Sequence, residues 1–227
     1  MSDFAASTRP ADYRVFIDFD NTISRGDVLD GIIERFAVGD KWRELEEEWA
    51  AGRSSARTCL DGQLRTLRGT WPEFEHFLLK VELDPGFARL RDLLRAERVE
   101  FTILSDNFDR FIGAILRRCG YAGVPFFANH VEFVADCLQP SFPFYNPDCP
   151  GCAHCKKTHF MPRVDPRRII YIGDGRSDIC PATHADIVFA KSSLLTYMQE
   201  TKLPCRSFED LTGVATELKA MLYEYHH

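Results

Sequence analysis

The sequence predicts an α/β fold in which helices cover both faces of a parallel sheet. Three apolar segments support this: each reads as a buried strand, and each is followed by polar residues and then by residues with a helical pattern. They are residues 14–19 (RVFIDF), 99–105 (VEFTILS) and 167–173 (RRIIYIG). Strands that alternate with helices in this way pair in parallel, since each helix returns the chain to the same end of the sheet.

The chain between the first two strands, residues 25–82, has no strand signal. Apolar residues recur there at helical spacing, and Thr70 with Glu73 forms a capping box at the start of its last helix. We predict that this stretch is an all-helical cap inserted into an α/β core made of residues 1–24 and 83–227.

Shorter patterns of apolar residues predict the remaining helices and strands of the core. A helix begins near Asp84 and precedes the second strand, and another follows that strand. Residues 124–155 read as short strands and then a Cys-rich loop, which together predict a small β insertion. The chain closes with one strand and two helices, near 186–190, 192–201 and 208–223.

Composition limits the function classes. The net charge is −6 and no long run of Lys or Arg occurs, so a nucleic-acid-binding surface is not expected. No stretch of eighteen apolar residues predicts a membrane span, and the N-terminus lacks the apolar segment of a signal peptide. We therefore expect the eight cysteines to be reduced, in the cytoplasm. The sequence leaves the oligomeric state open.

Acidic and hydroxyl side chains follow each of the three strands. In an open α/β sheet the carboxyl ends of parallel strands meet at one edge, so these groups should converge. Two unit charges about 4 Å apart repel by roughly 4 kcal/mol at an effective dielectric constant near 20, so a cation must offset them. Acidic oxygen ligands suit Mg²⁺. The residues are Asp18, Asp20, Thr22, Ser105, Asp106, Asn107, Asp174, Ser177 and Asp178.

The acids of the DFDNT stretch have two other interpretations. A calcium-binding EF-hand loop requires Gly and Glu where this chain has Ile23 and Leu29, so that pattern fails. The acids could also be simple helix caps at a strand end. The second acidic stretch, IGDGRSD, disfavours that interpretation because it repeats the same chemistry after another strand.

The motifs DFDNT, ILSD, a lysine and IGDGRSD resemble the four motifs of the haloacid dehalogenase (HAD) superfamily, in the same order over nearly the whole chain. The resemblance implies a Rossmann-like core, the HAD fold. A helical cap directly after the first strand resembles the phosphoserine-phosphatase-like branch. The stretch DFDNTISRGDVLDGIIERF and the Cys-rich loop before a lysine most resemble the methionine-salvage phosphatases acting on 2-hydroxy-3-keto-5-methylthiopentenyl-1-phosphate. Phosphoethanolamine and phosphocholine phosphatases come next.

The resemblance implies a Mg²⁺-dependent phosphatase acting on a small phosphorylated metabolite. Asp18 would be the nucleophile that forms an aspartyl-phosphate. Asp20 would protonate the leaving alkoxide and then deprotonate the attacking water. Asp18, the carbonyl of Asp20 and Asp174 would bind Mg²⁺. Phosphoryl oxygens would be bound by Thr22, Ser105, Asp106 and the motif lysine, with Gly173 and Asp178 supporting the site.

The motif lysine is either Lys156 or Lys157. Lys156 is preferred, because related families have a lysine directly after the last Cys of this loop. In the cap, Asp27 could meet a substrate amine or hydroxyl, and Arg57 could meet an anion. For both cap residues, a solvated helix surface is the alternative interpretation.

The loop cysteines Cys149, Cys152 and Cys155 are spaced by three residues, which is typical of a zinc site. The fourth ligand is left open among Cys137, His154 and His159, and a loop of reduced thiols is the alternative. Two further functions stay open as well. One is a phosphatase for phosphocholine, phosphoethanolamine or phosphoserine; the other is a non-catalytic binding protein organised by a zinc loop, which the complete set of motif residues disfavours.

Overall fold

The computed structural model describes residues 10–134, 137–149, 151–161 and 165–223. Its strands are β1 (Tyr13–Ile17), β2 (Glu100–Phe108), β3 (Phe126–Val134), β4 (Cys137–Ser141), β5 (Arg168–Gly173), β6 (Ile187–Ala190) and β7 (Arg206–Ser207). Its α-helices are α1 (Val28–Phe36), α2 (Lys41–Ala50), α3 (Ala56–Thr66), α4 (Trp71–Leu78), α5 (Gly86–Ala96), α6 (Asp109–Arg118), α7 (Ile179–Ala182), α8 (Ser192–Glu200) and α9 (Leu211–Tyr223). None of the helices in this part of the chain is both long and apolar enough to span a membrane.

The strands form one sheet in the order β4-β3-β2-β1-β5-β6-β7. All neighbours pair in parallel except β3 and β4, so the predicted α/β fold is confirmed. Strand β1 is central, with Ile17 aligned to Ile103 of β2 and to Ile172 of β5. The carboxyl ends of β2, β1 and β5 therefore lie side by side, as the motif positions require.

The short strands before the Cys-rich loop belong to the main sheet. Strand β3 pairs in parallel with β2, and β4 pairs antiparallel with β3 at the sheet edge. The predicted β insertion is therefore an extension of the core sheet. Strand β2 also continues to Phe108, three residues beyond its predicted end, with an irregular register against β3 between Leu104 and Phe108. The additional residues Asp106 and Asn107 thus lie on a strand.

Helices α1–α4 fall within the predicted cap. The chain leaves and rejoins the core at an antiparallel bridge between Ser24 and Leu83. Phe74 of α4 stacks on Phe36 of α1, with ring centroids 4.0 Å apart, and also on Phe111 of the core helix α6, at 5.9 Å. Helices α1 and α4 thus share the hydrophobic core of the sheet, whereas α2 has no buried residue and packs against α3.

Candidate active site

The first motif forms a tight turn at the end of β1. The amides of Thr22, Ile23 and Ser24 all donate hydrogen bonds to the carbonyl of Phe19, which reverses the chain directly after the acids. Asn21 has a φ of 54°, a left-handed conformation that Asn tolerates better than most residues. The turn leaves the Asp18 side chain, which is 5% exposed, at the end of the central strand.

Lys156 lies between two carboxylates of this site. Its Nζ atom is 2.5 Å from Oδ1 of Asp18 and 2.6 Å from Oδ1 of Asp178, and it donates to Oγ of Ser177 at 3.2 Å. The side chain is 1% exposed. Lys157 points elsewhere: it is half-buried, and its nearest ionisable groups are cysteine thiols, Cys180 first. Of the two candidates, Lys156 is the lysine that reaches Asp18.

The charges of this cluster oppose one another. Burial lowers the pKa of Lys156, but attraction to Asp178 and Asp18 outweighs it and raises that pKa well above its ordinary value. Burial raises the pKa of Asp18 and the carboxylate of Asp178 adds to the rise, while Lys156 opposes it. One buried ammonium therefore does not neutralise the acids around it, and Asp18 needs further positive charge to stay ionised.

Asp178 organises the loop after β5. Its Oδ1 atom accepts from Lys156 and from the hydroxyl of Tyr171 at 2.6 Å. Its Oδ2 atom accepts from the amides of Asp174 at 2.9 Å and Gly175 at 3.0 Å. Both oxygens are thus used by the protein. Asp178 thus contacts both Lys156 and the backbone beside Asp174, and its supporting role in the reaction stays a prediction.

Asp20 faces strand β2. Asn107 donates from Nδ2 to both of its carboxyl oxygens, at 3.0 and 3.1 Å, and Ser105 donates from Oγ at 3.2 Å. The amide of Val28, at the start of α1, donates to Oδ1 at 2.9 Å. The pKa of Asp20 is raised to about 8, mainly by burial and secondly by the carboxylate of Asp27. The hydrogen bonds to Asp20 oppose this rise. A carboxylic acid with such a pKa can donate a proton near neutral pH.

The acids at the ends of β1 and β5 fit a divalent cation. Ligand atoms of Asp18, Asp174 and Asp178 lie within 4.8 Å of one another. Burial, and next Asp178, raise the pKa of Asp174 to about 7, with Lys156 opposing. Three carboxylates share one ammonium, so about two negative charges stay without a partner. A hard dication with oxygen ligands, such as Mg²⁺, supplies that charge.

The segment that carries these site residues matches a known protein family. The model of the haloacid dehalogenase-like hydrolases matches residues 15–182, which contain both acidic motifs, Ser105 and Lys156. The chain belongs to this family. The predicted resemblance to the HAD superfamily is thereby confirmed.

Individual relatives agree with the HAD assignment. A 2-hydroxy-3-keto-5-methylthiopentenyl-1-phosphate phosphatase from Brevibacillus brevis is 29% identical over 217 residues, or 92% of this chain and 96% of the relative. A HAD family hydrolase structure from Salmonella enterica serovar Typhi has a TM-score of 0.73 at 19% identity, covering 95% of this chain and 72% of that one. A phospho-aspartyl intermediate analogue of phosphoserine phosphatase has a TM-score of 0.65 at 15% identity, covering 89% and 97%.

The predicted phosphate-binding residues of this HAD chain have the following contacts. The Oγ1 atom of Thr22 is 3.4 Å from Oδ1 of Asp174, and Ser105 contacts Asp20. Both hydroxyls thus border the cluster. The carboxylate of Asp106 accepts from the amide of His154 at 3.1 Å and so holds the Cys-rich loop against β2. This contact gives the Asp106 carboxylate a structural use, and its phosphate-binding role stays a prediction.

A cleft of 290 Å³ lies between the acidic motifs and the cap helices. Asp27 lines it, but its carboxylate also caps α1, accepting from the amide of Asp30 at 2.9 Å. Arg57 does not line it: its guanidinium lies 4.7 Å from the ring centre of Tyr145. The structure therefore does not support an anion-binding role for Arg57. The other cap residues that line the cleft are Leu29, Asp30, Glu46, Trp49, Ala56, Cys59, Leu60 and Gln63.

Sequence reasoning assigned no role to Tyr171 or Asn107, both of which contact the site acids. Tyr171 lies in the buried strand β5, and a buried tyrosine hydroxyl normally has a partner, so its presence in RRIIYIG was a usable signal. Asn107 stood in the polar stretch after Ser105. Its contact with Asp20 depends on β2 extending past the predicted end, which the local pattern did not indicate.

Gly173 is required by a close approach of Asp178. A Cβ atom at position 173 would lie 2.6 Å from Oδ2 and 2.7 Å from Cγ of Asp178. We expect Gly173→Ala to displace this carboxylate and to lower the free energy of unfolding by about 1–3 kcal/mol, as overpacking does in other cores. Urea denaturation measures the change. Gly123→Ala is the matched control, since nothing lies within 4 Å of that Cβ position; equal midpoints for both variants would contradict the prediction.

Proposed function

We propose that this chain is a cytoplasmic, Mg²⁺-dependent phosphatase that hydrolyses a small phosphorylated metabolite through an aspartyl-phosphate on Asp18. Its class is that of the HAD-type phosphatases, which are phosphoric monoester hydrolases. The main support is the placement of Asp18: it is buried at the end of the central strand and bound by Lys156, and Asp20 follows two residues later. All eight cysteines are free, as a reducing compartment requires.

The side chains can carry out both halves of this reaction. In the first half, an oxygen of Asp18 attacks phosphorus, the bond to the alkoxide breaks, and Asp20 gives its proton to the leaving oxygen. In the second half, Asp20 takes a proton from water, which attacks the acyl phosphate and releases inorganic phosphate and Asp18. Lys156 orients Asp18 and, together with the bound Mg²⁺, favours its ionised form, and it lies close enough to bind a phosphoryl oxygen. Thr22 and Ser105 supply hydroxyl donors.

We assign Mg²⁺ to Asp18, Asp174 and the backbone carbonyl of Asp20. Asp178 is not included, because both of its oxygens already accept hydrogen bonds from the protein. When bound, the ion supplies positive charge that stabilises the equatorial oxygens of the transferring phosphoryl group.

For the substrate, we propose 2-hydroxy-3-keto-5-methylthiopentenyl-1-phosphate. The relative from Brevibacillus brevis is named as a phosphatase for this compound. The cap side of the cleft supports a substrate without a carboxylate. It carries Asp27, Asp30 and Glu46, and the one Lys or Arg among the described lining residues is Arg176, which lies over Trp49 at 5.0 Å. Repulsion from these acids disfavours phosphoserine.

The same acids favour a second candidate, a phosphorylated amine alcohol such as phosphoethanolamine or phosphocholine. Loss of solvation is the largest cause that raises the pKa of Asp30 to about 7, and the neighbouring carboxylates of Asp27 and Glu46 add to it. A cationic head group would relieve that charge.

Turnover of p-nitrophenyl phosphate with and without EDTA tests the proposed reaction. We expect EDTA to abolish turnover and excess Mg²⁺ to restore it, because the acidic cluster then regains its counter-charge. Protein that is inactive with every divalent cation would instead support the non-catalytic binding protein.

A panel of phosphorylated metabolites then separates the substrates. Highest kcat/KM for the methylthiopentenyl compound supports the first candidate, and highest kcat/KM for phosphocholine or phosphoethanolamine supports the second. A preference for phosphoserine would contradict our interpretation of the acidic cleft.

A further inference from the structure

The Cys-rich loop gains a fourth cysteine from a distant part of the chain. The Sγ atoms of Cys149 in the loop and Cys180 in α7 are 3.8 Å apart. A disulfide would bring them to about 2.0 Å. Two sulfur ligands at tetrahedral positions around zinc, each about 2.3 Å from the ion, are about 3.8 Å apart. The pair therefore has the spacing of two zinc ligands.

The other two loop cysteines face the same pair. Cys155 is hydrogen-bonded to Cys149 and interacts electrostatically with Cys180. Cys152 interacts with all three of the others. Cys152 and Cys155 are buried, while Cys149 and Cys180 are partly exposed, which leaves a route for an ion. Four thiols from two separate segments thus lie close enough to interact with one another, with Cys149 and Cys180 in contact.

We propose that Cys149, Cys152, Cys155 and Cys180 form a structural zinc site. Four cysteines close the coordination of the ion, which is the usual composition of a structural rather than a catalytic zinc site. The ion is distinct from the proposed Mg²⁺, whose ligands are oxygen atoms of the acidic cluster.

Cys180 fits this site better than the three candidates for the fourth ligand that the sequence offered. His154 uses Nδ1 to contact the carbonyl of Ser105 at 2.8 Å, and its Nε2 lies 2.7 Å from Nε2 of His159. Both ring nitrogens of His154 and the Nε2 atom of His159 therefore already have partners. Cys137 begins β4 and is exposed. Cys180 was missed because 25 residues of chain separate it from Cys155.

Zinc binding requires a small rearrangement of the loop. No three sulfur atoms among the described residues lie within 4.8 Å of one another, so Cys152 and Cys155 must rotate toward the Cys149–Cys180 pair. A redox-sensing disulfide is the competing use of these thiols. The 3.8 Å between the sulfur atoms of Cys149 and Cys180 is nearly twice the roughly 2.0 Å of a disulfide bond and matches the spacing of two zinc ligands, which favours zinc.

The position of the site connects it to the phosphatase chemistry. Cys155 directly precedes Lys156, and Cys180 lies two residues after Asp178. Lys156 and Asp178 form the ion pair beside Asp18. An ion bound by the four thiols would join the segments that carry both partners of this pair. Loss of zinc should therefore reduce turnover without removing any group that touches the substrate.

Metal analysis of protein purified without added metal or chelator tests the proposal. We expect about one zinc per chain in the wild type, and well below one in Cys180→Ser and Cys149→Ser. Cys137→Ser is the matched control and should keep about one. Zinc well below one equivalent in the wild type would overturn the proposal, as would full zinc content in Cys180→Ser. A Cys149–Cys180 disulfide in freshly purified protein would also overturn it.

Cobalt substitution of the wild-type protein identifies the ligands without any mutation. In the presence of excess Mg²⁺, we expect thiolate-to-cobalt charge-transfer absorption and the intense visible bands of tetrahedral cobalt. Weak visible bands without charge transfer would place the ion on oxygen ligands and contradict the cysteine site. This measurement also decides the question if Cys180→Ser fails to fold.

Discussion

Asp18→Asn is expected to reduce phosphatase turnover by about 10⁴-fold or more, as loss of a nucleophile does in other enzymes. A carboxamide keeps the shape of the side chain but cannot form an acyl phosphate. Steady-state turnover of p-nitrophenyl phosphate at saturating Mg²⁺ measures the effect. Asp61→Asn is the matched control, since Asp61 pairs with Arg65 on the exposed side of α3 and should leave turnover unchanged.

The same variant should fold at least as well as the wild type when metal is absent. The Asp18 carboxylate is buried beside Asp178 and Asp174, and its raised pKa shows that the fold disfavours its charge. The neutral amide removes that repulsion, while Lys156 keeps Asp178 as a partner. Unfolding curves in EDTA therefore separate a chemical defect from a structural one. Turnover near the wild-type rate in folded Asp18→Asn would rule out the covalent mechanism.

Lys156→Ala is expected to have the second-largest effect, a loss of turnover of about 10²–10³-fold. The variant removes the ammonium from Asp18 and from the transferring phosphoryl group. It also leaves Asp18 and Asp178 buried without their counter-ion, and breaking a buried pair in this way costs about 3–5 kcal/mol of stability. Both losses are measurable, by kcat at saturating substrate and by urea denaturation.

Lys157→Ala is the matched control for that experiment. Lys157 is the next residue, has the same side chain, and makes neither of the two carboxylate contacts. It should keep kcat within about twofold of the wild type, because side chains that do not touch the reacting groups contribute little to the transition state. A large loss in Lys157→Ala with normal kcat in Lys156→Ala would assign the motif lysine to position 157.

The fold and the acidic motifs were predictable because they depend on short stretches of chain. An apolar segment such as 14–17 must be buried, and acids placed directly after it are carried to the strand end wherever the strand lies. The capping box is local as well: the amide of Thr70 donates to Oε2 of Glu73 at 2.7 Å. Local patterns did not indicate which strands are neighbours, so the pairing of β3 with β2 was missed.

Local patterns and motifs were therefore sufficient to identify an α/β protein of the HAD type with Asp18, Asp20 and Asp174 at one edge of its sheet. Which side chains meet there depends on how distant segments pack. The local pattern does not separate Lys156 from Lys157, and only the family resemblance favours Lys156. Successive residues of a 3₁₀ turn point in different directions, and of these two lysines it is Lys156 that enters the buried cluster. Likewise, Asn107 and Cys180 acquired their partners from distant segments, because such contacts depend on how the strands and helices pack.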